Sequence, residues 1–201
     1  RDVERSRGLG DVYKRQGGFR NSSYLLMGAV RVLEYSDIKV KKAVYSNYQK
    51  ERIEDITDLY RMFDLINAAN TFTSVGNSYE LEEYFKDTDN ATVKSTIEAM
   101  NKFSDEITLC RTSKLNDVIK ELNNCLEELS GVQSDSKDII LFKSLSEAIR
   151  SKFNIHGERI SYPDVVEWCV HNRLIQQAVT IYVEKMPESV SYTHLTLPTK
   201  A

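Results

Sequence analysis

Apolar residues recur at helical spacing along most of this chain. The cleanest pattern runs from Val93 to Cys110, where apolar residues are separated by three or four positions and therefore share one face of an α-helix. Leu115–Leu129 repeats the pattern and is followed by Gly131. We expect these two stretches to pack as an antiparallel helical hairpin.

Shorter helical patterns lie on both sides of this pair. Pro163 falls near the start of one of them, where its fixed φ suits the first turn of a helix. Pro187 is expected to end the last one. The patterns predict a helix capped by Thr57 or Asp58 with Gly76 near its end, a short helix over Tyr79–Phe85, and helices over Ile140–Phe153, after Ser161, and over Leu174–Met186.

The N-terminal part has a different pattern. Tyr24–Tyr35 is apolar almost all round, which is typical of a helix covered by other elements. The short, valine-containing run Ile38–Tyr45 then predicts a buried parallel strand. Helix and strand together would form the second half of a βαβ unit, so the fold class is an α/β remnant followed by a mostly α-helical region, α-rich overall.

A glycine-containing turn is expected directly before this first helix. Two glycines permit close backbone approach, and the following Asn and Ser residues are helix N-cap types, so the first amides of the helix would face a bound anion. The side chains that follow the strand would reach the same edge of the sheet. The candidate ligand-binding residues are Gly17, Gly18, Phe19, Arg20, Asn21 and Ser22, with Ser46 and Asn47 after the strand. The alternative is an ordinary capped turn in which Arg20 is solvated.

The two ends of the chain do not fit the rest. Ser6–Gln16 corresponds to one reading frame of a transposase-type sequencing adapter, and Val190–Thr199 corresponds to the reverse strand of the same adapter chemistry. We therefore exclude residues 1–16 and 190–201 from reasoning about the fold. The remaining chain divides into residues 17–54, as the end of a Rossmann-like domain, and residues 55–189, as a helical connector.

Charge and cysteine content limit the function classes. The chain has 27 basic and 30 acidic residues; the excluded ends hold six and three of these, which leaves 21 against 27 and a net charge of −6. An acidic body argues against broad binding to a nucleic-acid backbone. Three separated cysteines predict reduced thiols in a cytosolic protein. No metal site and no membrane-spanning stretch is predicted, so we expect a soluble protein.

One spacing is compatible with catalysis. Arg150 and His156 are six positions apart, which matches the Arg-x(4–6)-His spacing of metal-independent HEPN ribonucleases, where histidine serves as acid and base and arginine stabilises the phosphorane. The alternative is that Phe153 and Ile155 belong to a core or helix end and that His156-Gly157 stops the helix.

The ordered set of motifs resembles one family. The motifs are Gly17-Gly-Phe-Arg-Asn21, Tyr45-Ser-Asn-Tyr48, Ile53–Thr57 with Phe63–Phe72, and Trp168-Cys169 with Gln176–Pro187. They resemble the CRISPR-associated Rossmann-fold (CARF) proteins of type III systems, in the branch that carries a C-terminal HEPN ribonuclease.

The resemblance implies a function in antiviral defence. A CARF domain of this family binds cyclic oligoadenylate, usually in a pocket shared by the two subunits of a homodimer, and binding activates RNA cleavage by the HEPN domain in the cytoplasm. It implies no cofactor besides this activating ligand. Two parts of the family pattern are not found here: the first CARF strand should precede Gly17, and the HEPN arginine and histidine should follow Pro187.

Two other function classes stay open. The chain could be a non-catalytic α-rich scaffold in which the helices between Val93 and Leu129 bind a partner. It could also be a nucleotide-binding regulator unrelated to CRISPR systems. Titration with cyclic oligoadenylate separates the first reading from both of these.

Overall fold

The computed structural model describes residues 18–36, 38, 40–47, 49–153 and 159–194, with side chains described between residues 25 and 185 of these ranges. In this part of the chain the structure has eight helices and one two-stranded sheet. The predicted α-rich fold is confirmed. The chain divides into two compact units, Arg1–Asp58 and Leu59–Ala201.

The elements follow one another with short connections. The first unit contains α1 (Gly18–Tyr35), β1 (Val44–Asn47) and β2 (Arg52–Asp55), and α2 (Thr57–Val75) begins at its end. The second unit continues with α3 (Tyr79–Phe85), α4 (Ala91–Thr108), α5 (Leu115–Ser130), α6 (Lys137–Phe153), α7 (Tyr162–His171) and α8 (Ile175–His194).

Two expectations for the first unit were wrong. Helix α1 begins at Gly18 instead of at Tyr24, so the predicted turn residues 18–23 are helical. The expected buried parallel strand Ile38–Tyr45 is replaced by the β1–β2 hairpin, in which Val44 lies opposite Asp55 in an antiparallel register. The four residues between the strands allow a direct return of the chain, whereas a parallel pair would need a long crossover. Val44 is exposed, so the strand is not buried either.

The predicted hairpin of α4 and α5 is confirmed and forms the centre of the second unit. Thr96 Oγ1 donates to the carbonyl of Cys125 at 3.3 Å, and Lys102 Nζ lies 2.6 Å from Glu121 Oε1. As the residue numbers rise along α4, those of the contacting residues on α5 fall, so the two helices are antiparallel. Helix α6 packs on α5, and α7 packs on both α6 and α8.

Four aromatic rings fill the core where α2, α4, α6 and α7 meet. Phe103 lies 5.9 Å from Phe72, 5.4 Å from Phe153 and 6.0 Å from Trp168 between ring centroids. Phe153 and Trp168 are 4.7 Å apart. The indole Nε1 of Trp168 donates to the carbonyl of Thr73 at 2.6 Å, so this buried ring keeps a partner for its polar atom.

Two helix starts agree with their local sequence, and one helix end does not. Ser161 precedes α7, and Asp164 in its first turn accepts from the Ser161 amide at 2.8 Å. Asn90 Oδ1 accepts from the Val93 amide at 3.0 Å and caps α4. The expectation that Pro187 ends the last helix was wrong, because α8 continues to His194. The nitrogen of Pro187 carries no hydrogen, so the helix continues with one backbone hydrogen bond fewer at this position.

Candidate functional site

Most of the predicted ligand-binding residues lie at the start of α1. Gly17 is outside the described residues, and Gly18, Phe19, Arg20, Asn21 and Ser22 begin the helix. The first four amides of any α-helix have no partner inside the helix, so they are free to meet a ligand or water. That these residues bind a ligand stays a prediction. The structure differs from the expectation because the segment forms the start of a helix instead of a turn.

The other two predicted residues, Ser46 and Asn47, lie on β1. The Asn47 side chain donates from Nδ2 to Glu54 Oε2 at 3.3 Å and accepts at Oδ1 from the Lys50 amide at 3.1 Å. Both ends of the amide are therefore used to hold the hairpin turn. Ser46 is exposed. A ligand that uses Asn47 would have to compete with contacts inside the hairpin.

Two carboxylates of the hairpin have strongly lowered pKa values. Hydrogen bonds to Glu54, the largest from Arg52 and the others from Asn47 and Lys50, lower its pKa from 4.5 to about 2. The pKa of Asp55 falls to about 2, mainly because Thr57 Oγ1 donates to it at 2.6 Å. Both carboxylates are therefore negatively charged at neutral pH, and the positively charged side chains of Arg52 and Lys50 lie beside Glu54.

The predicted Arg150 and His156 pair is only half described. Arg150 lies in the last turn of α6, and His156 is outside the described residues. Phe153, which lies between them in the sequence, is fully buried among the core rings. The catalytic hypothesis for this pair therefore stays untested.

A cleft of about 230 Å³ opens where the C-terminal ends of three helices meet, and sequence reasoning did not find it. None of the six described side chains that line it is acidic. They come from α2, α6 and α7 with the residue that follows α7, so no local motif signals their proximity. The lining residues are Thr73, Ser74, Lys152, Trp168, His171 and Asn172.

Two carbonyl groups in this cleft already have donors. Thr73 O accepts from the Trp168 indole, and Trp168 O accepts from the Asn172 backbone amide at 3.0 Å and from its side-chain Nδ2 at 2.9 Å. Lys152 Nζ donates to Thr73 Oγ1 at 3.2 Å. Trp168 is 2 % exposed and Thr73 is 4 % exposed, so the base of the cleft belongs to the core while Lys152 lies at its exposed edge.

Two of the three cysteines, Cys125 and Cys169, are in surroundings that disfavour the thiolate. Burial raises the pKa of the Cys169 thiol to about 12, with a smaller contribution from Cys110. Burial also raises the pKa of Cys125. A thiol with a raised pKa is a poor nucleophile at neutral pH, because the thiolate is the reactive form.

No described helix combines the length and the apolar character that are needed to cross a membrane. The same part of the chain contains no group of three histidine, cysteine, aspartate or glutamate side chains placed to hold a metal ion.

Comparison with known proteins gives one match. Residues 61–157 match the family model described as the second domain of the CRISPR-associated protein MJ1674, and they make up just under half of the chain. They include α3, α4, α5 and α6 and most of α2. No curated protein and no solved structure matches the chain. The family match supports a CRISPR-associated protein.

Proposed function

We propose that this chain is the cyclic-oligoadenylate-sensing portion of a type III CRISPR-associated ribonuclease. The observation that carries the proposal is the match of residues 61–157 to a domain of a CRISPR-associated protein. The N-terminal motifs, which resemble a CARF domain, lie outside the matched residues. In this proposal residues 17–54 are the end of the CARF domain and residues 55–189 lead toward a HEPN domain.

The proposed ligand site is the start of α1. The helix begins at Gly18, so its partner-free amides belong to the residues that the sequence motif singles out. Amides at this position and the positive end of the helix dipole both favour a phosphate. Arg20 would add a planar pair of donors, which a lysine cannot reproduce. Ser46 and Asn47 are proposed to contact the same ligand.

The remaining parts of the proposal follow from the family resemblance. Cyclic oligoadenylate acts as an activator, RNA is the substrate of the full-length protein, and the cleaving HEPN site lies in another domain. The protein acts in the cytoplasm as a homodimer and needs no other cofactor. A ligand of this kind works by shifting the population toward the cleaving state.

Calorimetric titration tests this function directly. We expect cyclic tetra- or hexa-adenylate to bind and linear oligoadenylate of the same length to bind more weakly. Arg20→Ala should weaken binding about ten- to a hundredfold, because it removes charge-assisted hydrogen bonds to phosphate. Arg20→Lys should restore part of the loss. Arg159→Ala is the matched control, because this arginine is exposed and makes only a surface ion pair with Glu127.

Two outcomes would contradict the proposal. One is that neither cyclic ligand binds. The other is that Arg20→Ala and Arg159→Ala reduce affinity equally, which would mean that only net charge matters.

The scaffold alternative has one observation in its favour. Helix α8 exposes Ile175, Val179, Tyr182 and Val183 on successive turns. The helices that the sequence suggested for partner binding are less suitable, because the apolar faces of α4 and α5 are buried in the core. Self-association in light scattering together with no binding of cyclic oligoadenylate would favour this alternative.

A further inference from the structure

We propose that the cleft lined by Thr73, Ser74, Lys152, Trp168, His171 and Asn172 binds a phosphate group. This site lies in the second unit and is independent of the proposed ligand site at α1. The argument rests on the donors and acceptors that the cleft presents, on its size, and on a comparison with a second cleft of the same unit.

Three side chains of the cleft can donate to a ligand. The carbonyls of Thr73 and Trp168 already accept hydrogen bonds. The ammonium group of Lys152 has three hydrogens and uses one of them for Thr73 Oγ1. Among the described residues, no hydrogen-bond partner is found for the Ser74 hydroxyl or the His171 ring. An anion can therefore be met by Lys152, Ser74 and His171 together.

The helix ends around the cleft oppose an anion, but they are the weaker effect. The C-terminal end of a helix carries partial negative charge, and three such ends meet here. This field falls off within the last turn and is reduced by salt. Three direct hydrogen bonds from Lys152, Ser74 and His171, one of them from an ammonium group, are expected to outweigh the screened field of the three helix ends. The capped carbonyls of Thr73 and Trp168 reduce the opposition further.

The size of the cleft selects a small group. Its volume of about 230 Å³ is below the range of roughly 300–1,000 Å³ that is usual for sites of whole organic ligands. A phosphate group fits inside, and the rest of a nucleotide would lie outside. The shared chemistry is a phosphate group, whether it is free inorganic phosphate or the phosphate of a nucleotide.

A second cleft of the same unit serves for comparison, because its lining differs in charge. It has a volume of about 300 Å³ and lies beside the loop between α5 and α6. Lys143 in this groove donates to the Val132 carbonyl at 3.3 Å, and Glu147 also lines it. Its cation therefore shares the groove with a carboxylate, whereas none of the six described lining residues of the first cleft is acidic.

Nuclear magnetic resonance can follow binding at one atom. Trp168 is the single tryptophan, so its indole N–H gives one well-separated signal from the base of the cleft. We expect inorganic phosphate and adenosine monophosphate, added to the full chain at constant ionic strength, to shift this signal along a saturating curve. Adenosine and chloride should leave it in place.

Matched variants show whether Lys152 is responsible. Lys152→Gln should weaken phosphate binding about tenfold, because the amide can still donate to Thr73 while the charge is lost. Lys143→Gln lies on the same helix and removes the same charge, so it should leave binding unchanged. The position of the indole signal without ligand reports whether each variant keeps the native core. His171→Gln, at an exposed helix end, gives a second variant that leaves the core intact.

Three results would overturn the proposal. The first is no saturation with phosphate up to about 20 mM, which is weaker than any specific site of this kind should be. The second is an equal response to adenosine and adenosine monophosphate, which would assign recognition to the base. The third is that Lys152→Gln and Lys143→Gln have the same effect on phosphate affinity, whether both weaken it or neither does, and that His171→Gln has no effect on it.

Discussion

Helices α1 and α4 have the same length, and they differ in what covers them. Both span 18 residues. In α4 the apolar face is buried against the neighbouring helices, and Phe103 is fully buried. In α1 most of the described apolar side chains are exposed, with Leu25 at 75 % and Leu26 at 66 %. A periodic pattern thus predicts that a helix forms, whereas a partner element decides whether its apolar face contributes to stability.

The largest expected difference between the two helices is the cost of removing an apolar side chain. Phe103→Ala should reduce the free energy of unfolding by about 3–5 kcal/mol, because it empties the centre of the aromatic cluster. Leu26→Ala in α1 should change it by less than about 0.5 kcal/mol, because that side chain is exposed. Chemical denaturation followed by Trp168 fluorescence measures both. A similar cost for the two variants would show that α1 is packed as tightly as α4.

A substitution that restricts the backbone should also lower the stability of the second unit. Gly76 has a φ of +74°, and an added Cβ would lie 3.1 Å from Trp168 Cη2. Gly76→Ala should therefore cost about 2 kcal/mol, from left-handed strain and from displacement of the ring. Gly131→Ala is the control, because Gly131 has a φ of −85° and an added Cβ would meet the Glu128 carbonyl at 3.4 Å. It should be neutral, as measured by thermal unfolding, and an equal loss in both variants would contradict the strain argument.

A smaller effect is expected at the start of α7. Asp164 accepts from the Ser161 amide at 2.8 Å and from its hydroxyl at 2.5 Å. Asp164→Ala should cost about 1 kcal/mol, because the amide and hydroxyl of Ser161 lose their acceptor in the first turn of the helix. Asp117→Ala removes an exposed carboxylate from the first turn of α5 and should cost only about 0.3 kcal/mol. Equal costs in denaturant titrations would mean that the helix dipole, and not the hydrogen bonds, accounts for the effect.

The smallest effect should come from the exposed carboxylates of the first unit. The pKa of Glu54 is lower in the folded hairpin, about 2, than its ordinary value of 4.5. The unfolded chain therefore takes up the proton first as the pH falls, so the contribution to stability is present above pH 4.5 and is lost on the way down to about pH 2. Glu54→Gln should abolish this dependence.

The measurement for Glu54 is an NMR titration of its side chain in the intact protein. Because Glu54 lies on the surface of the hairpin and is only partly buried, the associated change in stability should be small. An ordinary midpoint near pH 4.5 would show that the bonds from Arg52, Asn47 and Lys50 do not persist in solution.

The sequence could predict the second unit well, because each of its helices carries its own signals. The short helix Tyr79–Phe85 and the hairpin of α4 and α5 agree with the apolar spacing, and Ser161 with Pro163 marks the start of α7. Among the local predictions that were wrong, two have a clear physical reason. The run Ile38–Tyr45 was interpreted as a buried strand from its composition, but only pairing reveals the antiparallel partner. Pro187 lowers the stability of a helix without forbidding it, and α8 continues past it.

The sequence by itself determined the α-rich class, the positions of most helices and the motifs that resemble a CRISPR-associated protein. These depend on the spacing of apolar residues, on capping residues and on short motifs, all of which are local. Only the tertiary structure decided that Phe72, Phe103, Phe153 and Trp168 share one core. It also brought together the cleft of about 230 Å³, because Ser74, Lys152 and His171 come from three different helices. Contacts between distant residues depend on how whole helices pack, and no local pattern in a single sequence records that packing.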